Sequence, residues 1–288
     1  KIVGNHYMYL FEKDEEILEL IMLSEVENET RSEQNISLRT VSENTIINIS
    51  VAPRIDPEGN KQGLVLALED ISDVSKVKNT FKRYVSKQVV DELLDDDAKL
   101  NLGGEQREVT ILFTDIRGFT SMSENMKPER VVTTLNEYFS DMIDIVFKNN
   151  GTLDKIIGDE LMVLYGAPLS GDDDTNRAVQ TAIEMQERIK QLNLERKKRK
   201  EPPILVGAGI NKGLVVSGNI GSRDMMDYTV IGDTVNVASR LCAAAGPGDI
   251  LVSETVYKET KTVYSFSTLK PIRVKGKAKK VPLFLVKD

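Results

Sequence analysis

Two acidic residues sit where a folded chain can bring carboxylates together. Asp115 closes the apolar run Ile111-Leu112-Phe113-Thr114 and precedes Gly118-Phe119-Thr120. Asp159 stands at the turn of KIIGDELMVLY, between two apolar arms. An acid at a strand end and another in a hairpin turn can converge on one edge of a sheet. Two close carboxylates with no cationic partner repel each other, which raises one pKa. A hard divalent cation such as Mg²⁺ or Mn²⁺ relieves that repulsion and makes the pair a catalytic centre. Each acid taken singly is an ordinary turn residue. Asn236 and Arg240 lie four apart, on one face of a helix beginning near Thr234. An arginine in such a turn is ordinarily a surface residue, so spacing and neighbours must give it meaning.

Those neighbours form four blocks: FTDIRGFT (Phe113 to Thr120), LDKIIGDELMVLYG (Leu153 to Gly166), YTVIGDTVNVASRL (Tyr228 to Leu241) and RVKGKAKK (Arg273 to Lys280). Their order and contexts resemble the class III nucleotidyl cyclases, and Phe81 to Leu94 resembles the lead-in that precedes such catalytic domains. The resemblance implies an adenylate cyclase that turns ATP into cyclic AMP and pyrophosphate. It implies two Mg²⁺ or Mn²⁺ ions per site on Asp115 and Asp159, with the Ile116 carbonyl as a further ligand. The amides around Gly118, Phe119 and Thr120 would face the triphosphate. Asn236 would orient the ribose and Arg240 would stabilise charge on the α-phosphate. Lys275 would reach the triphosphate, with Lys277 its nearest competitor. Lys155 and Thr229 would read the base, the lysine donating to adenine N1 and the threonine oxygen accepting from the 6-amino group. Thr229 stands where many adenylate members carry Asp, a variant that resembles the subgroup associated with bicarbonate stimulation. The chain departs from some relatives at Gly207-Ala208-Gly209-Ile210, where they place an arginine before the Gly-Ile pair; a phosphate contact from that arginine is absent or replaced. In this family the metal-side and base-side groups lie on opposite faces of the fold, which implies a head-to-tail homodimer with two composite sites.

Bulk properties agree with such an enzyme and exclude others. The chain has 288 residues, 40% hydrophobic and 29% charged, with a net charge of −7 and a pI near 5.1. That balance disfavours nucleic acid as a partner. The single cysteine, Cys242, cannot form an internal disulfide and fits a reducing, cytoplasmic setting. Its apolar surroundings predict a small packed residue. His6 is the one histidine, which excludes a histidine metal cluster within one chain. No stretch approaches the roughly 20 apolar residues of a membrane span. The chain begins at Lys1 within a patterned region and reads as a fragment, so a membrane tether could lie in a missing N-terminal part.

The elements that must position these residues follow from periodicity. Residues 1–72 carry short β-like runs. Ile46 to Val51 and Leu64 to Leu68 flank the turn-rich Pro53 to Gly63, and the hairpin ends in Glu69-Asp70-Ile71-Ser72. This stretch resembles the last strands of a PAS sensor domain, though it falls short of the roughly 100 residues of a whole domain. Residues 73–100 form a connector in which Val77, Phe81, Tyr84 or Val85, Val89 and Leu93 recur at three- and four-residue steps. It reads as a parallel coiled coil or as an amphipathic helix packed on its own domain. Residues 101–288 form the catalytic domain. Strands are expected at Glu108 to Phe113, in a hairpin over Leu153 to Tyr165, and at Leu205 to Ile210, Leu214 to Ser217, Ile250 to Val252 and Pro282 to Val286. Helices are expected at Pro128 to Asn150, Thr175 to Leu194 and Thr234 to Ala245, and the run Glu195 to Glu201 reads as a solvated helix end. The order β-α-β-β-α-β predicts an α+β, ferredoxin-like fold with additions. Three rivals are weaker. A diguanylate cyclase accounts for Ile157-Gly158-Asp159-Glu160 but not for VNVASR or VKGKAKK. A catalytically silent nucleotide-binding module would be expected to have lost one of Asp115, Asp159, Asn236 or Arg240. A dinucleotide-binding fold needs a different glycine spacing and a following helix.

Overall fold

The computed structural model describes residues 3–42, 45–81, 102–222, 225–272 and 280–287. The chain divides into two compact units, residues 1–85 and 86–288. In the first, helices α1 (Tyr7–Leu10) and α2 (Glu15–Glu27) precede an antiparallel sheet of strands β1 (Arg31–Ser37), β2 (Ile46–Ile55) and β3 (Lys61–Asp70), in the order β1-β2-β3. The β-rich reading missed α2. Its buried Ile17, Leu20, Ile21 and Ser24 recur at three- and four-residue steps, and its isoleucines and leucine pack on Ile36, Ile47, Ile49 and Val51 of the sheet. The hairpin strands run further than expected, because the turn tightens around Asp56, whose carboxylate accepts from the Asn60 amide at 2.7 Å. Helix α3 (Ser72–Phe81) covers the start of the expected connector, and residues 82–100 lie outside the described residues.

The second unit is built on β4 (Gly103–Ile116), α4 (Phe119–Glu124), α5 (Pro128–Lys148), β5 (Thr152–Ile157), β6 (Glu160–Tyr165), α6 (Asp174–Lys198) and β7 (Val206–Gly221). After these come β8 (Met226–Ile231), α7 (Asp233–Ala244), β9 (Ile250–Ser253), α8 (Glu254–Thr260), β10 (Ser265–Thr268) and β11 (Leu283–Lys287). The sheet order is β10-β11-β9-β7-β4-β6-β5, with β8 paired to β7. Its central four strands, β7-β4-β6-β5, are antiparallel in the order that the expected β-α-β-β-α-β unit requires. The parallel β7–β9 pair makes the whole sheet mixed.

Alternation along β4 sorts its side chains to two faces. Leu112 joins Tyr138, Met142 and Val146 of α5 and Ala178, Ala182 and Met185 of α6. Ile111 and Phe113 join Ala238 and Cys242 of α7. Helices therefore cover both faces of the central strands. The two strands expected at 205–210 and 214–217 are one continuous strand, β7. The expectation of a solvated run at 195–201 fails at Arg196, which is 1% exposed. Helix α6 continues through it, and its guanidinium pairs with Glu137 at 2.7 Å and Glu201 at 3.4 Å. Among the described residues no helix is long and apolar enough to cross a membrane.

Candidate active site

The β4–β6 pairing of Thr114 with Leu161, and the turn from Ile157 to Glu160, carry the β5–β6 hairpin tip to the end of β4. Gly158 takes φ 66°, the left-handed conformation that this tight turn demands. The Asp159 carboxyl thereby hydrogen-bonds to that of Asp115 and accepts from the amides of Ile116 and of Asp159 itself. Burial, then the Asp115 hydrogen bond and charge, push Asp159 up to about 6. The neighbouring Glu160 is pushed up to about 7, by burial first and then by the charges of Asp115 and Asp159. The two acids singled out in the sequence are thus brought together at one end of the sheet.

That pair has a cationic partner, which corrects the sequence reading. Arg117 Nη2 lies 2.6 Å from Asp115 Oδ2, its Nε donates to the Asp115 carbonyl at 3.3 Å, and its backbone amide donates to the Leu205 carbonyl at 2.7 Å. The guanidinium also approaches Cys242 Sγ at 3.6 Å. Cys242 is fully buried, as expected, and burial pushes its thiol up to about 12. Ile116 turns its side chain into the core. Gly118 precedes α4, its carbonyl accepting from the Met122 amide at 3.0 Å, and Phe119 packs against the main core. Thr120 lies in the first turn of α4.

The second group gathers around Lys155. Its Nζ lies 2.7 Å from Asp227 Oδ2, 3.1 Å from Asp154 Oδ2 and 3.2 Å from Thr229 Oγ1. Three acceptors thus meet three ammonium protons. Burial opposes the charge, but the bonds to Asp227 and Asp154 outweigh it and hold the Lys155 pKa above the ordinary lysine value. Ladder register alone separates Lys155 from Thr229: Lys155 faces Met162, which faces Phe113, which faces Gly209, whereas Thr229 faces Gly218 much further along β7. Their contact therefore requires the sheet to curl, carrying β8 back over the β5 edge.

The third group rides on α7. A Cβ at Gly209 would stand 2.0 Å from the Cys242 amide nitrogen and 2.6 Å from the Ala238 carbonyl oxygen, so only glycine lets the helix backbone lie directly on β7. With Val237, Ala238, Leu241 and Cys242 buried, Asn236 is left exposed and Arg240 half-buried. Among the described residues no hydrogen bond or ion pair joins the acid pair, the Lys155 group and Arg240 to one another. Lys275 and Lys277 lie outside the described residues.

Sequence reading missed Arg117, Asp154, Asp227 and Glu160. One of them carried a signal: Asp227 precedes Thr229 at a two-residue step, which puts strand neighbours on one face.

The description "Adenylate and Guanylate cyclase catalytic domain" matches residues 104–287, and the chain belongs to this family. It is 36% identical over 225 residues to an adenylate cyclase of Anabaena cylindrica, covering 74% of this chain and 44% of that one. It is 31% identical over 209 residues to adenylate cyclase 1 of Rhizobium meliloti, covering 72% and 31%. The chain spans less than half the length of these curated relatives. Among solved structures it is similar to the adenylyl cyclase CyaB of P. aeruginosa (37% identity, TM-score 0.63, covering 65% of this chain and 97% of that one). It is similar also to the guanylyl cyclase Cya2 (39%, TM-score 0.60, covering 64% and 94%).

Proposed function

We propose that this chain is an adenylate cyclase, forming 3′,5′-cyclic AMP and pyrophosphate from ATP by in-line attack of the ribose 3′-hydroxyl on the α-phosphorus. Since solved relatives include both adenylyl and guanylyl enzymes, the choice of base rests on one observation: an ammonium and a threonine oxygen stand side by side, Lys155 beside Thr229 at 3.2 Å. Lys155 can turn the proton now on the exposed Asp227 to adenine N1, and a hydroxyl oxygen accepts from the 6-amino group; guanine presents the opposite edge.

The acid pair fits divalent metal. Asp115 and Asp159 share a hydrogen bond under mutual repulsion, and the Arg117 guanidinium is set against Asp115, Asp159 and Glu160. Among the described residues no group of three or more His, Cys, Asp or Glu side chains gathers for a metal. Mg²⁺ is commonly held by one or two carboxylates with water and substrate phosphate completing its shell. The chemistry a bound pair of Mg²⁺ or Mn²⁺ ions supplies is activation of the 3′-hydroxyl and neutralisation of the departing pyrophosphate. Asp115, Asp159 and the Ile116 carbonyl would hold the ions. Asn236 would orient the ribose, Arg240 would meet charge building on the α-phosphate and the Gly118, Phe119 and Thr120 amides would face the triphosphate; Lys275, outside the described residues, is assigned to the triphosphate by the family resemblance.

Two-fold homodimerisation would bring the metal-side group of one chain to the base-side groups of the other, giving two composite sites. Residues 1–72 act as a PAS-like sensor and residues 73–100 as the coiled-coil transmitter; Val74 and Val77 of α3 are exposed, as a helix awaiting a partner requires. Purified protein assayed with ATP and GTP, in Mg²⁺ and in Mn²⁺, tests the reading. Cyclic AMP should dominate, and Asp115→Ala or Asp159→Ala should each lose well over tenfold, beyond about 1.4 kcal/mol of barrier. Preference for GTP, or either variant keeping a tenth of wild-type turnover, would count against it.

A further inference from the structure

A threonine hydroxyl is both donor and acceptor, so its presence beside a base does not by itself choose adenine. The free choice is removed by a buried neighbour. Thr229 Oγ1 donates to Asp154 Oδ2 at 3.1 Å, and the same oxygen takes a proton from Lys155 Nζ at 3.1 Å. The Asp154 side chain is 0% exposed, and its Oδ1 is buried with no hydrogen-bond partner. Burial pushes the Asp154 pKa up, while the Lys155 charge and the bonds from Lys155 and Thr229 pull against that rise. The carboxylate therefore depends on two donors, and turning the Thr229 hydrogen outward would remove one of them from a buried charge. Asp227 contacts Lys155 rather than Thr229 and is 64% exposed, so it exerts no comparable hold on the hydroxyl.

We propose that Asp154 is a positioning residue for base choice: by taking the Thr229 hydroxyl proton into the protein, it leaves that oxygen only lone pairs to present to the nucleotide. One lone pair receives Lys155 and the other faces the base. A 6-amino purine is then matched, and a 6-oxo purine meets an acceptor with an acceptor. The inference rests on the proposed role of Thr229 as a base reader and goes beyond it by locating what polarises that reader.

The test measures kcat/KM for ATP and GTP in dimeric protein, with competition of both nucleotides against a fluorescent ATP analogue. Asp154→Ala should lower the ATP-to-GTP ratio about tenfold, the scale of one hydrogen-bond mismatch. Asp154→Asn should keep the ratio within about threefold, because Lys155 and Thr229 both donate and the amide oxygen can receive both. Thr229→Ala should lower the ratio by itself, and adding Asp154→Ala to it should change the ratio no further, since the aspartate acts through the hydroxyl. If Asp154→Ala weakens ATP and GTP equally, Asp154 is a structural support for Lys155 and the proposal is overturned. If Asp154→Ala does not fold, Asp154→Asn decides: loss of ATP preference there means that charge, not the accepting oxygen, sets the ratio. If Thr229→Ala leaves the ratio unchanged, the base-reading assignment itself fails, a result separable from the other two.

Discussion

Replacing Gly209 by alanine is the sharpest test of how the fold serves the site. The added Cβ would lie 2.0 Å from the Cys242 nitrogen, 2.6 Å from the Ala238 oxygen and 2.7 Å from Cys242 Cα, all backbone atoms of α7 that cannot rotate away. Ordinary contact begins near 3.4 Å, so the helix must retreat by about 1.4 Å. Overpacking of this kind costs about 1–3 kcal/mol, or roughly 2–12 °C in Tm for a unit of this size. Activity should suffer more. Asn236 and Arg240 ride on α7, and a displacement of about 1 Å at a reacting centre can cost about 100-fold. The loss should fall mainly on kcat, because Arg240 is assigned to charge that develops in the transition state. Thermal melts with cyclic AMP kinetics read both effects. Gly246→Ala is the control, since its closest neighbour is the end of the Asp249 side chain at 2.8 Å rather than a helix backbone. A Gly209→Ala protein with wild-type Tm and turnover within about threefold of wild type would refute the idea that this helix seat aligns the site.

Three further outcomes are expected. Asp115→Ala and Arg240→Ala should each be inactive alone, yet their mixture should recover about a quarter of wild-type activity, because half the dimers are mixed and each has one undamaged site; recovery of nothing, with heterodimers verified by cross-linking, would mean that each chain holds a complete site. The metal-free protein should lose stability as pH rises from about 4 to 7. Asp159 and Glu160 titrate in the fold at about 6 and about 7, above their ordinary values of 3.8 and 4.5, so the folded state binds more protons across that window and unfolding releases them; denaturant midpoints across the range check the sign, and Asp159→Asn should flatten the slope. Cys242 should resist alkylation at pH 8 in the native protein and react on unfolding, since burial holds its thiol near 12; native labelling at the unfolded rate would contradict that burial.

The sequence made some features plain and hid others for definable reasons. The hairpin of β5 and β6 and the strand β4 were legible because short apolar runs flank unmistakable turn residues such as Gly158. The helix at 15–27 was hidden by its many acids, and only the burial of Ile17, Leu20 and Ile21 reveals its apolar stripe. The two strands expected at 205–210 and 214–217 join through Asn211, Lys212 and Gly213, and Thr234 packs in the space that the missing Gly213 side chain leaves. Arg196 looked solvated because charge runs usually are, and its burial depends on Glu137 in a distant helix. The convergence of Asp115 with Asp159 followed from local pattern, but the arrival of Arg117 between Asp115 and Cys242 did not. Nor did the meeting of Lys155 with Thr229, which comes from sheet curl that no periodicity encodes.

The pairing of β4 with β7 also governs how the catalytic unit can come into being. Gly103 finds its ladder partner at Asn219 and Ile116 finds its own at Val206, so the central strand waits for chain that is made long after it. The β5–β6 hairpin closes locally and quickly, and it can dock on one edge of β4 through Thr110 to Thr114. The other edge stays open until residues 206–221 have emerged, a non-local closure that slows folding and leaves an apolar strand available to a neighbouring nascent chain. Synthesis that pauses between Tyr165 and Val206 thus holds the acid-bearing strand half-paired, and soluble yield becomes sensitive to elongation rate over that interval.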